Sequence, residues 1–221
     1  MKKLFLIVVT GCILLSAGNV YATIITPQAG NGPFADGDIG RNIGGSTWMP
    51  DTSYSMEIGN DSGSGDSEII YRAFIGFDLS GLSGPSASNA TLYLSCFQGS
   101  ANLNNIIIDV VNFGDTLDSS DYDIAAINSG VASFSSSQTG YLAINVTDAV
   151  NSALSADRIQ FRLRAEVEQS MAMQNMVFIN NIEDYRGSGE IPKLDVTMVP
   201  EPSSLLLVGL GSLILRRRKN K

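Results

Sequence analysis

Apolar and polar residues alternate with a period of two along several short stretches of this chain. The cleanest is Arg158–Ala165: Ile159, Phe161, Leu163 and Ala165 share one face, and Arg158, Gln160, Arg162 and Arg164 share the other. In residues 69–79 the same period groups Ile69, Tyr71, Ala73, Ile75, Phe77 and Leu79. The opposite face there is mixed, with Ile70 and Phe74 beside Arg72 and Asp78. Residues 91–98 put Leu92, Leu94 and Cys96 together, which makes Cys96 a small core residue. Residues 105–111, 141–146, 176–180 and 194–198 read as further strands. Gly81, Gly84-Pro85 and Asn128-Ser129-Gly130 punctuate them. One helix is expected over residues 148–155, with Thr147 as its N-cap. The pattern predicts an all-β fold: an antiparallel β-sandwich with one short helix.

The two ends follow different rules. Residues 1–22 carry Lys2 and Lys3, an apolar run over 4–15 and a small residue at Ala22, the three parts of a secretory signal peptide. The rival reading is a lipoprotein acceptor at Cys12, but the apolar run continues past that cysteine. At the other end, Pro200-Glu201-Pro202 precedes an apolar segment over 205–215, which falls short of the roughly 20 residues a membrane span needs. Arg216, Arg217, Arg218 and Lys219 follow directly, a basic cluster expected to stay cytoplasmic and leave the domain outside. This order resembles the PEP-CTERM sorting signal of Gram-negative bacteria, carried here by Pro200, Glu201, Pro202, Arg216, Arg217 and Arg218. The resemblance implies an exosortase as processing partner and a host that makes exopolysaccharide. It also implies transient membrane anchoring, with a tail that is removed as a GPI signal is. The expected location is the cell envelope, outer surface or extracellular matrix.

Between the ends, residues 23–199 have the length of one domain. They hold 7 cations against 21 acidic residues, a balance of −14 that excludes a nucleic-acid footprint. Cys96 is the one cysteine left in that stretch, so no disulfide forms within it. The chain contains no histidine, which removes Ser-His-Asp and Cys-His catalysis and the usual zinc sites.

A second resemblance runs along the domain. Arg72-Ala73-Phe74-Ile75-Gly76-Phe77-Asp78-Leu79-Ser80, then residues 90–94, then Asn145-Val146-Thr147-Asp148 and residues 192–196 follow an order similar to DNRLRE-type domains, jelly rolls related to carbohydrate-binding modules. The Trp-rich middle of that family is missing, and residues 181–186 replace its closing turn. The resemblance bears on fold rather than on a ligand site.

Three constellations carry candidate chemistry. Arg158, Arg162 and Arg164 on one strand face suit the carboxylates of an acidic polysaccharide, with Trp48 as an aromatic contact. The bland alternative pairs those arginines with Glu166, Glu168 or acids on neighbouring strands, and makes Trp48 a packing plug. Asp61, Asp66 and Glu68 crowd a Gly-Ser loop able to hold calcium, or simply a solvated loop. Asp115, Asp118, Asp121 and Asp123 form a second acidic loop with the same two readings. The expected function is a non-enzymatic surface or matrix protein that binds acidic polysaccharide and requires no cofactor except, at most, calcium. A structural matrix protein without a discrete site is the alternative, and a polysaccharide-degrading enzyme is the third.

Overall fold

A computed structural model describes residues 22–42, 45–52, 55–62, 68–168, 174–182 and 190–200. Residues 1–21 of the signal segment, Asp66, Glu201, Pro202, Arg216, Arg217 and Arg218 lie outside the described residues. In chain order the strands are β1 (Ala22–Ile25), β2 (Asp36–Asn42), β3 (Met56–Asp61), β4 (Ile69–Asp78), β5 (Ala87–Gln98), β6 (Asn105–Val111), β7 (Asn128–Ser135), β8 (Gly140–Asn145), β9 (Arg158–Ala165), β10 (Asn175–Ile179) and β11 (Lys193–Met198). Among the described residues one α-helix, α1 (Thr147–Ala153), continues into a 3-10 turn at Leu154–Ala156.

Every strand pairing is antiparallel, and the pairings resolve into two sheets. Sheet I runs β2-β4-β9-β6-β7, and sheet II runs β8-β5-β11-β1. The β3–β10 pair links them, since β3 continues along β4 and β10 along β5. The chain is thus an all-β antiparallel sandwich, as its alternation predicts.

Inward positions of both sheets build one core. Ile75, Phe77, Ile108, Phe161 and Leu163 from sheet I meet Leu92, Leu94, Ile144, Leu194 and Val196 from sheet II. Each such side chain gains about 1.5–3 kcal/mol from leaving water. Cys96 is fully buried among them as a free thiol, and burial pushes its pKa up to about 11.

The helix starts differently from the expectation. Thr147 is its first residue rather than its cap, because its hydroxyl accepts the Ala90 N–H at 2.9 Å. The Asn145 side chain accepts the Thr147 N–H at 3.0 Å instead. A hydroxyl that serves the adjacent sheet edge cannot also serve the first helical turn.

Candidate functional site

The outward face of β9 lies where alternation places it, but it is not bare. A second apolar cluster of Ile39, Phe74, Val111, Phe113, Leu117 and Tyr122 sits on that outer face of sheet I. Residues 112–127, including a 3-10 turn at Ser119–Asp123, fold across it as a lid. The segment before β2 covers the adjoining part, where Gly76 lets the Pro33 carbonyl approach; a Cβ at Gly76 would stand 2.3 Å from that oxygen. Gln160 ties both covers down. Its amide donates to the carbonyls of Pro33 (2.8 Å) and Gly114 (2.9 Å) and accepts from the Phe113 N–H (2.8 Å).

Under the lid the arginine row meets its acids. Asp109 on β6 stands directly opposite Arg162 and is fully buried. One of its oxygens accepts from Arg162 Nη2 at 2.7 Å and Arg164 Nε at 2.8 Å; the other accepts from the Gly130 N–H and the Ser129 hydroxyl. Burial alone would raise the Asp109 pKa. The Arg164 and Arg162 hydrogen bonds outweigh burial and hold it at about 2. Arg162 is 7% exposed and also donates to the Ile124 carbonyl of the lid. Arg158, a third exposed, reaches Asp115 at 2.6 Å.

The acidic loop is the arginines' counterpart. Asp115 pairs with Arg158, and Asp123 pairs with both Arg41 and Arg72. Asp118 and Asp121 cap their own turn reciprocally. Between them Tyr122 presents its ring to two guanidinium groups, Arg41 and Arg72, each 4.2 Å from the centroid. Arg72 further holds Glu168 bidentately at 2.8 and 2.6 Å. Burial pushes the Tyr122 phenol up to about 12 despite those cations.

The remaining candidates are dispersed. Trp48 is 54% exposed in the 45–52 loop along β2, separated from β9 by β2 and β4. Asp61 ends β3, and Glu68 accepts from the Asn60 amide across the same hairpin. Beneath that hairpin Asp38, 3% exposed, accepts the Glu57 N–H at 2.9 Å. Burial still lifts its carboxyl well above the usual range, with Glu57 and Asp51 adding to the shift. Nearby Tyr71 is pushed up to about 12 by burial and by Glu57, Asp38, Asp61 and Asp51. Among the described residues, no three His, Cys, Asp or Glu side chains gather as a metal-ligand group.

One aromatic group was not singled out by the sequence reading. On the outer face of sheet II, Tyr93 of β5 and Tyr141 of β8 stack with ring centroids 5.2 Å apart and planes at 12°. Lys193 of β11 places Nζ 5.1 Å from the Tyr141 centroid and 5.6 Å from that of Tyr93. A hydrogen bond with Tyr141 raises its pKa. Phe97 and Phe178 adjoin farther along β5, 5.8 Å apart. Tyr141 is 44% and Phe97 37% exposed. No local signal marks this group, because it depends on β5–β8 register, Tyr93 opposite Ala143 and Ser95 opposite Tyr141.

Residues 199–219 match the PEP-CTERM protein-sorting motif. That motif is an exosortase substrate signal, so the chain is an exported protein sorted by exosortase toward the cell surface or the exterior of a Gram-negative bacterium. No curated protein matches the chain significantly. No helix among the described residues is long and apolar enough to cross a membrane.

Proposed function

We propose that the exported domain is a non-enzymatic module that binds extracellular polysaccharide on the outer face of sheet II. The supporting observation is the nearly parallel pair of exposed Tyr141 and half-buried Tyr93, with Lys193 beside it. Pyranose rings present an apolar face of C–H groups that stacks on aromatic rings, and a cation alongside takes a uronate carboxylate or a hydroxyl. Phe97 and Phe178 lengthen the platform along β5. Neither β5 nor β8 carries a charged residue, so the carboxylates near the tyrosine pair are, among the described residues, Asp195 of β11 and Glu190, the partner of Lys193. The arginine row is the weaker candidate face, since buried Asp109 holds Arg162 and Arg164, whereas the ion pair of Lys193 among the described residues is with the exposed Glu190 at 3.5 Å, a partner that a ligand carboxylate can replace.

Affinity electrophoresis of the exported protein in gels containing uronate or neutral polymers, with calcium and with chelator, tests this reading. Retardation that disappears in Tyr93→Ala/Tyr141→Ala is the expected result. Unchanged mobility in every gel would sink it and leave a structural role in the envelope or matrix as the better account. A dependence on calcium that vanishes in Asp61→Asn/Glu68→Gln would assign the cation to the β3–β4 hairpin.

A further inference from the structure

A sandwich of two open sheets has four edges, and three of them here carry a device that blocks pairing. The β2 edge is covered by residues 45–52, which bond to it through Trp48 N–H to Gly40 O (2.8 Å) and through mutual bonds between Asp38 and Asp51. The β1 edge is four residues long. The β7 edge is broken by Gly130 at φ +64° and by a register shift opposite Ile108 and Val110. Coverage, shortness and bulges are three of the ways in which natural sheets avoid edge-to-edge association.

The β8 edge has neither a cover nor a register shift, and its positive-φ glycine, Gly140 (φ +91°), stands at its first residue, ahead of the regular run from Tyr141 to Asn145. Its six residues, Gly140–Asn145, keep an unbroken register with β5 from Asn145 opposite Thr91 to Gly140 opposite Cys96. Among the described residues nothing pairs with its other side, where an open groove of about 720 Å3 separates it from β7. Charge and proline, the remaining common safeguards, are missing too. Residues 124–147 contain neither, and residues 79–108 of the strand behind contain no charge. In a domain with a balance of −14, most approaches between two copies bring carboxylates together; this one does not.

The geometry points to β8 as a self-association edge whose occupant is β8 of a second copy of this chain. A two-fold axis perpendicular to the sheet makes the two strands antiparallel, and each supplies the donors and acceptors that the other lacks. The result is a continuous eight-stranded sheet, β1-β11-β5-β8 followed by the same strands in reverse. Tyr141, Ala143 and Asn145 lie on its outer face and Leu142 and Ile144 on its inner face. Pairing would join the two tyrosine platforms into one, but the association stands on the edge alone and does not require a glycan.

Sedimentation velocity of the exported protein over a wide concentration series tests the proposal. Ala143 is exposed, so Ala143→Lys and Ala143→Glu each place a charge at the seam without disturbing the core. The expected results are a concentration-dependent dimer for the parent and a monomer for each variant alone. A mixture of the two variants should return to the dimer, because opposite charges then face each other. A parent that stays monomeric throughout, a variant that dimerises like the parent, or a mixture that remains monomeric would overturn the proposal. Retardation by polysaccharide is a separate readout, so failure of the dimer and failure of glycan binding are distinguishable.

Discussion

The outer faces of the two sheets are built from the same alternation yet meet opposite fates. On sheet I, outward Arg72, Phe74, Asp109, Gln160 and Arg162 are covered by the 112–127 lid, and their charges close on one another. On sheet II, outward Tyr93, Tyr141, Phe97 and Lys193 remain partly or largely in solvent. A row of like charges needs counter-charges before it can be buried, and the lid brings them. An aromatic row needs none, and it stays open as a surface. Conspicuous charge therefore marks the packed face here, and unremarkable tyrosines mark the accessible one.

The contrast breaks most severely at Asp109. Asp109→Ala strands the buried Arg162 and removes the partner of Arg164, at an expected cost of about 3–5 kcal/mol, read from the urea midpoint. A loss below about 1 kcal/mol would mean that the pair does not hold the lid. Gln160→Leu removes the bonds to Pro33, Gly114 and Phe113. It should cost about 1–3 kcal/mol and speed proteolysis within residues 112–127 at unchanged cleavage elsewhere.

Acid should loosen the same face. The Asp109 pKa is about 2 in the folded state against about 3.9 in the unfolded chain, so its stabilisation is complete above about pH 4 and disappears as pH falls through about 2. Asp38 and Asp121 act in the opposite sense, because burial raises their pKa values and favours the folded state when they are protonated. Melting temperature followed from neutral to acid pH should fall in the lowest range, and Asp109→Asn should flatten that limb. The smallest effect belongs to the open face. Tyr93→Ala should cost only about 0.5–1.5 kcal/mol while removing retardation by polysaccharide.

Much of the sandwich was legible from local alternation. β6 and β9 span the residues their patterns mark out, and β4, β5, β8, β10 and β11 fall within one to four residues of expectation. β2 was not, because Asp36–Asn42 holds one large apolar residue, Ile39, among Asp and Gly. Its buried carboxylates are tolerated because distant backbone N–H groups meet them, Ile182 for Asp36 and Glu57 for Asp38. β7 was read as a turn from Asn128-Ser129-Gly130, and that turn chemistry survives as the break inside the strand. For the site, the arginine row and the acidic loop were each visible. That they answer one another was not, because their pairing spans 43 residues for Arg158–Asp115 and 53 for Arg162–Asp109. The tyrosine platform stayed hidden for the same reason, since strand pairing brings its two halves together.

The central claim is that the charged face is occupied by its own lid and the aromatic face is free to bind. Amide chemical-shift mapping of the isotopically labelled exported protein during titration with a uronate polymer tests it directly. The account predicts shifts clustered around Tyr93, Tyr141 and Lys193, with residues 113–127 and Arg158, Arg162 and Arg164 unmoved. Shifts centred on the lid and those three arginines, with the tyrosines silent, would contradict it.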